Sequence, residues 1–336
     1  MNVDARRPLA RGRRPGVQPA VHGILPSGRQ RSSGQRMDGV EFGFEFRAMG
    51  TACRLRLAGC SESVAQRAAE RAIDEVRRIE TKYSRYRDDS IVSRINAAAG
   101  SGRPVEVDDE TADLLDFAAR LHAVSGGLFD VTTGVLRRVW DFRAARLPDA
   151  AALAEQLARV GWQHVRWNRP AVELSLPGME LDFGGFGKEY AADRAGTLLL
   201  EHGVPGGLVN LGGDIRVIGP HPDGSPWALG IAHPRQADAV IATIALPSGG
   251  LATSGDYERF FDLDGRRYCH ILDPRSGWPV QHWRSVSVVG PACLAAGSLS
   301  TIAMLSGDKA HDLLRSQGVG YLTIDAHNQI RQELPA

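Results

Sequence analysis

The stretch Ala252–Val280 reads ATSGDYERFFDLDGRRYCHILDPRSGWPV, and it constrains the fold more than any other segment. Asp264-Gly265 lies between two short runs that carry aromatic residues. An Asp-Gly pair in that setting signals a tight hairpin, so the chain here turns back on itself in antiparallel fashion. The same stretch sets Thr253, Ser254, Asp256, His270 and Asp273 at turns or strand ends. A segment whose only task is packing has little use for so many polar side chains at such positions.

The rest of the chain follows the same style. Alternation over Glu41 to Leu57 predicts two strands around Met49-Gly50-Thr51, which reads as a plain hairpin corner. Ser61 or Ser63 caps a helix running to about Lys82, with Val64, Ala68, Ala72, Val76 and Ile79 on one face. Further helices are expected over Thr111–Val124, Ala150–Val160, Glu189–His202, Leu294–Leu305 and Ala310–Gln317. A hairpin is expected around Asn168-Arg169-Pro170, and a buried strand over Met179–Phe183. Further strands fall at Ile215–Ile218, Trp227–Ala232, Val240–Leu246, Arg284–Val289 and Tyr321–Asp325. There is no series of βαβ units and no repeat, so the fold class is α+β with antiparallel sheets.

Charge is unevenly placed. The first 36 residues hold eight arginines and one aspartate, although the whole chain has a net charge of only +1. Residues 1–40 are therefore expected to be a disordered basic tail, with the folded domain over 41–336. The body is mildly acidic, which gives no reason to expect nucleic-acid binding. Leu57-Ala58-Gly59-Cys60 has the look of a lipoprotein box, but the residues before it alternate as a strand. No stretch is long and apolar enough for a signal core or a membrane span. The four cysteines form no CxxC pair and no zinc spacing, so they are expected to be free thiols in a cytoplasmic protein. Cys269 and His270 are neighbours on a strand and point to opposite faces, which disfavours a nucleophile–base pair.

Two glycine-lined turns carry chemistry. In the first, a strand enters Gly184-Gly185-Phe186-Gly187-Lys188 and a helix follows. That order suits an anion: backbone N–H groups and a helix N-terminus face it, and a lysine adds charge. It also suits tight strand–helix packing. The second runs over Gly206–Asp214, GGLVNLGGD, flanked by Asn210 and Asp214. Neither a Walker A spacing nor GxGxxG is present. His270 lies at a strand end three residues before Asp273-Pro274, as a structural or an acid–base group. The residues alone reach an α+β enzyme or binder of a phosphate-bearing ligand.

Several blocks, in this order, resemble the ApbE family of FAD:protein FMN transferases: Ala48-Met49-Gly50-Thr51; YSRYRDDSIVSRIN from Tyr83; Gly127-Leu128-Phe129-Asp130; LDFGGFGKEYAADRA from Leu181; LVNLGGDI from Leu208; ATSGDYERFF; and HILDPRSGWPV. They cover about Phe42 to Gly307. The resemblance implies two lobes with an FAD cleft between them and a Mg2+-dependent transferase. FAD is split at its pyrophosphate, FMN passes to a Thr or Ser of a target flavoprotein, and AMP leaves. It implies His270 as the base and Lys188 as a charge on the diphosphate. It also implies FAD contacts from Met49, Tyr86, Leu128, Phe129, Asp130, Asp182, Lys188 and Ile271. The Gly185 carbonyl and Thr301 are the implied metal ligands.

This sequence departs from the family pattern at two places. Gly297 stands where the family has the aspartate that is its chief metal carboxylate, and Glu189 follows Lys188 where a glycine is common. Loss of the carboxylate should weaken the metal site, with water, Ser300, Asp256 or Asp273 as substitutes. Gly297→Asp is then expected to tighten Mg2+ binding. The other readings are a non-catalytic FAD-binding or flavin-delivery protein, and a pyrophosphatase giving FMN and AMP. Nothing resembles a nicotinamide site, which disfavours an oxidoreductase.

Overall fold

Asp264 and Gly265 both take positive φ, at 50° and 75°, and they join Phe260–Leu263 to Arg266–Cys269 with Leu263 opposite Arg266. That is the two-residue hairpin that the Asp-Gly pair predicts. The structure, a computed structural model, describes residues 35–37 and 41–334. The expected disordered tail lies outside the described residues, apart from Gln35–Met37, a short strand paired with Glu41–Ala48.

Nine strands form one sheet in the order Gln35–Met37, Glu41–Ala48, Thr51–Ala58, Gly206–Leu211, Asp214–Gly219, Gly249–Gly255, Trp283–Gly290, Gly320–Asp325, Ile330–Glu333. Every neighbouring pair is antiparallel. The fold class is thus α+β, as the hairpin-rich sequence predicts. The central strands are almost continuously buried because both faces are covered. Val209, Leu211 and Ile218 join the core under the helices Glu62–Tyr83 and Gly187–Glu201. Leu208, Ile215 and Val217, on the alternate face, pack under the Trp227–Ala232/Val240–Leu246 hairpin.

Helix starts follow their caps. Ser61 accepts from Val64 N–H and Asp108 from Thr111 N–H, so the Asp109–Val124 helix begins two residues before the expected Thr111. The Cys293–Ser306 helix has no cap of its own. Asp193, from the Gly187–Glu201 helix, accepts from Cys293 and Leu294 N–H at 2.9 and 2.8 Å. This helix presses so close to the sheet that a Cβ on Gly250 would run into the Ala292–Cys293 backbone.

The segment expected as a buried strand, Met179–Phe183, is buried over Met179–Leu181 but is not a strand. Its backbone is satisfied by other means. Asn96 brackets Leu181, accepting from its N–H at 2.7 Å and donating to its carbonyl at 3.0 Å, and Asp182 N–H donates to the Val131 carbonyl. A side-chain amide takes the place of a partner strand.

Candidate active site

The glycine turn after Leu181 leads directly into a charged pair. Asp182 accepts from Gly184 N–H and opens the short Phe183–Gly185 helical turn. The Gly187–Glu201 helix begins next, and Lys188 in its first turn pairs with Asp214 at the start of the strand Asp214–Gly219. Asp214 is 3% exposed. Burial alone would lower the Lys188 pKa; the Asp214 and Glu189 carboxylates outweigh it and hold the ammonium firmly charged. The Gly212-Gly213 turn, with both residues at positive φ, lies beside this pair and is shaped by Asn210, which accepts from Gly213 N–H. Both glycine turns predicted from sequence therefore meet at Lys188 and Asp214.

His270 leaves the Arg266–Cys269 strand and is tied down by its backbone, N–H to the Arg259 carbonyl at 3.0 Å. Its side-chain Nδ1 is buried and has no hydrogen-bond partner. Burial pushes the imidazole down to about 3, and the charges of Arg259 and Lys188 act in the same direction. The ring is thus neutral at pH 7, with a free nitrogen near Lys188. Cys269 is fully buried, with its Sγ beside the Ile271 and Val280 carbonyls.

The linkage has a definite sign. The unfolded imidazole takes a proton near 6.5 and the folded one only near 3, so the unfolded chain binds more protons between these values. Stability from neutral His270 is complete above about 6.5 and is lost as pH falls toward 3. The urea midpoint of the wild type should fall more steeply across that interval than that of His270→Gln. Superimposable pH profiles for the two proteins would count against a buried neutral imidazole.

Glu189 occupies space that residue 297 would otherwise use. A Cβ built on Gly297 would lie 2.5 Å from Glu189 Cγ and 2.6 Å from its Oε1. Glu189 is 6% exposed, and its Oε2 is buried without a hydrogen-bond partner. Burial raises its carboxyl pKa, and the charge of Asp214 adds to the effect. Farther along the Cys293–Ser306 helix, the Ser300 and Thr301 hydroxyls cluster with that of Ser254 from the Gly249–Gly255 strand: Ser254 Oγ is 2.7 Å from Ser300 Oγ and 3.0 Å from Thr301 Oγ1. The Phe183–Gly185 turn, which carries the Gly185 carbonyl, packs on this helix. Among the described residues no three His, Cys, Asp or Glu side chains gather as a metal cluster. A cation here would have one carboxylate with hydroxyl and carbonyl oxygens, a set that suits Mg2+.

Two expected substitutes for the missing carboxylate are committed elsewhere. Asp256 is paired bidentately with Arg235 at 2.6 and 2.6 Å, and Asp273 with Arg275 at 3.0 and 2.6 Å. Asp273 also accepts from Arg275 N–H, which makes it a turn cap.

The residues expected to touch FAD divide into exposed groups and supports. Met49 sits in the corner between Ala48 and Thr51 at φ 52°, and its N–H donates to Glu80 at 2.6 Å. It is a hairpin corner, as read from sequence, held in a conformation a non-glycine residue rarely takes. Tyr86 is 75% exposed, under the guanidinium of Arg85, which also pairs with Asp182. Leu128 and Ile271 share one apolar cluster. Phe129 is buried below Gly185 and stacks on Phe186. Asp130 is buried and fully engaged: Oδ1 accepts from Thr132 N–H and hydroxyl, and Oδ2 from Trp162 N–H. The side chains of Phe129 and Asp130 thus build the loop rather than reach outward. Arg85 and Glu80 are structural partners that sequence reading did not single out, and Asp214 was read only as a flank of a glycine turn. The one available signal was that Asp214 flanks the second glycine turn.

These features define a class: an α+β protein whose glycine turns and helix N-terminus meet at a half-buried lysine–aspartate pair, with a neutral histidine that feels the same lysine's charge, an arrangement suited to an anionic ligand. The comparisons with known proteins narrow it. Residues 49–323 match the ApbE family. A Klebsiella pneumoniae FAD:protein FMN transferase is 31% identical over 83% of this chain and 82% of its own. One from Treponema pallidum is 34% identical over 84% of each. Among solved structures, the ApbE protein of Thermotoga maritima superposes with a TM-score of 0.80 at 33% identity, covering 87% of this chain and 97% of that one. The flavin transferase ApbE of Vibrio cholerae gives 0.76 at 27% identity, covering 87% and 96%. The chain belongs to the ApbE family.

Proposed function

We propose that this protein is an FAD:protein FMN transferase that uses Mg2+ and modifies a Thr or Ser of a target flavoprotein. The observation that carries the reading is the convergence of Lys188, both glycine turns and an unpartnered neutral His270, in a chain that matches transferases so named over most of their length.

In this reading FAD lies across the glycine turns with its diphosphate toward Lys188. The aromatic Tyr86 and the Leu128–Ile271 surface line the flavin side. Lys188 is kept charged by Asp214, so it meets the diphosphate already ionised and aimed. The acceptor hydroxyl attacks the FMN-side phosphorus, its proton passes to His270, the bond to the AMP phosphate breaks, and AMP leaves. His270 has a low proton affinity in the free protein, set by burial and cationic neighbours. A bound diphosphate opposes those cations and raises its basicity when a base is needed. Mg2+, when bound, neutralises diphosphate charge. The hydroxyl cluster at Ser254, Ser300 and Thr301, the Gly185 carbonyl and the nearby orphaned carboxylate oxygen fit such a hard cation.

Among the described residues no helix is long and apolar enough to cross a membrane. We place the protein in the cytoplasm on its four free cysteines, three of them buried.

The test is to incubate the protein with FAD, Mg2+ and a flavoprotein carrying an acceptor threonine. Covalent flavin on the target and AMP in equal amounts are expected. AMP and FMN without labelled target would make it a pyrophosphatase, and FAD left intact would make it a binding protein.

A further inference from the structure

The two positions that depart from the family pattern face each other across two helices. The Gly187–Glu201 and Cys293–Ser306 helices are clamped in a fixed register, because Asp193 caps the latter through Cys293 and Leu294. One turn back on the first helix is Glu189, and one turn on along the second is Gly297. The register therefore sets positions 189 and 297 face to face. The Glu189 side chain fills the volume that a side chain at 297 would enter, 2.5–2.8 Å from the place of its Cβ.

We propose, within the transferase reading, that Glu189 supplies the carboxylate ligand of the Mg2+ site in place of the absent residue-297 carboxylate, the charge having moved across the helix–helix contact. The Oε2 atom is buried with no donor in reach. An uncompensated buried carboxylate oxygen is costly, and a cation is the natural compensation. Lys188, the adjacent cation, is already paired with Asp214. Gly297 is then required for its lack of a side chain, and the two carboxylates are mutually exclusive. Gly297→Asp in the otherwise unchanged chain does not tighten metal binding, contrary to what the sequence suggests. It drives two carboxylates into one space and weakens both folding and the site.

The experiment uses the full chain with Mn2+ as probe, read by electron paramagnetic resonance and by calorimetry with Mg2+. Glu189→Gln keeps the shape and removes the charge, and should weaken Mn2+ binding at least about tenfold. The exchange Glu189→Gly with Gly297→Asp should bind Mn2+ like the wild type, whereas Gly297→Asp alone should not. Unchanged affinity in Glu189→Gln, or no Mn2+ uptake by the wild type, overturns the assignment. If the exchange variant does not fold, Glu189→Gln and Glu189→Asp decide, with Asp expected to keep part of the affinity. Flavin transfer by the wild type is assayed in parallel. Absence of transfer refutes the transferase reading, whereas transfer with unchanged Glu189→Gln affinity refutes only this inference.

Discussion

His270→Ala should lower flavin transfer by about 10²–10⁴-fold, the range for loss of a positioned general base. FAD binding should change little. The free Nδ1 holds no protein group, so removing the ring leaves no donor stranded and the His270 N–H to Arg259 carbonyl bond remains. The His270 imidazole is neutral at pH 7 because burial, Arg259 and Lys188 all oppose its protonation. Three readouts separate this role from a structural one. The variant should keep its thermal midpoint above pH 7, should bind FAD normally by flavin fluorescence, and should regain rate with added imidazole. Transfer at near-wild-type rate would remove His270 from the mechanism. Lost rate together with lost FAD binding would make it a wall of the pocket.

Much of this was legible beforehand, for physical reasons that vary by residue. The Asp264-Gly265 hairpin follows from a local rule, since two consecutive residues at positive φ need Asp-Gly chemistry. The Ser61 and Asp108 caps follow likewise from side chains that bond their own helix starts. Met179–Phe183 was misread as a strand because its alternation of Met179, Leu181 and Phe183 with Glu180 and Asp182 reports burial and not pairing; its backbone partner is Asn96, far away in sequence. The fate of Asp256 and Asp273 was equally hidden. Nothing local to Asp256 says that Arg235 reaches it, so a free acid and a paired one read alike. Glu189 and Gly297 each stood out as departures, but their reciprocity depends on the contact between two helices about a hundred residues apart. Spacing along one chain cannot express such a contact, whereas the position of a single missing Cβ does.

Lys188→Ala should lower transfer by about 10²–10³-fold, as expected for removal of a preorganised charge that stabilises a developing anion. It should also destabilise the protein, which the histidine change should not. Asp214 is almost wholly buried, and its cationic partner is Lys188. Stranding a buried carboxylate costs about 3 kcal/mol, the low end for a broken buried pair, because the Lys188 side chain is itself 35% exposed. The two effects can be separated. Lys188→Met with Asp214→Asn removes both charges while keeping shape. That double variant should recover most of the urea midpoint and none of the transfer. Recovery of transfer with stability would mean that Lys188 serves only to neutralise Asp214. Failure of the single variant to lose stability would mean that the carboxylate is solvated after all. In the proposed transferase the Lys188–Asp214 pair would thus serve both the fold and the reaction. It anchors the first turn of one helix to the start of a central strand, and it keeps a charged lysine where both glycine turns meet.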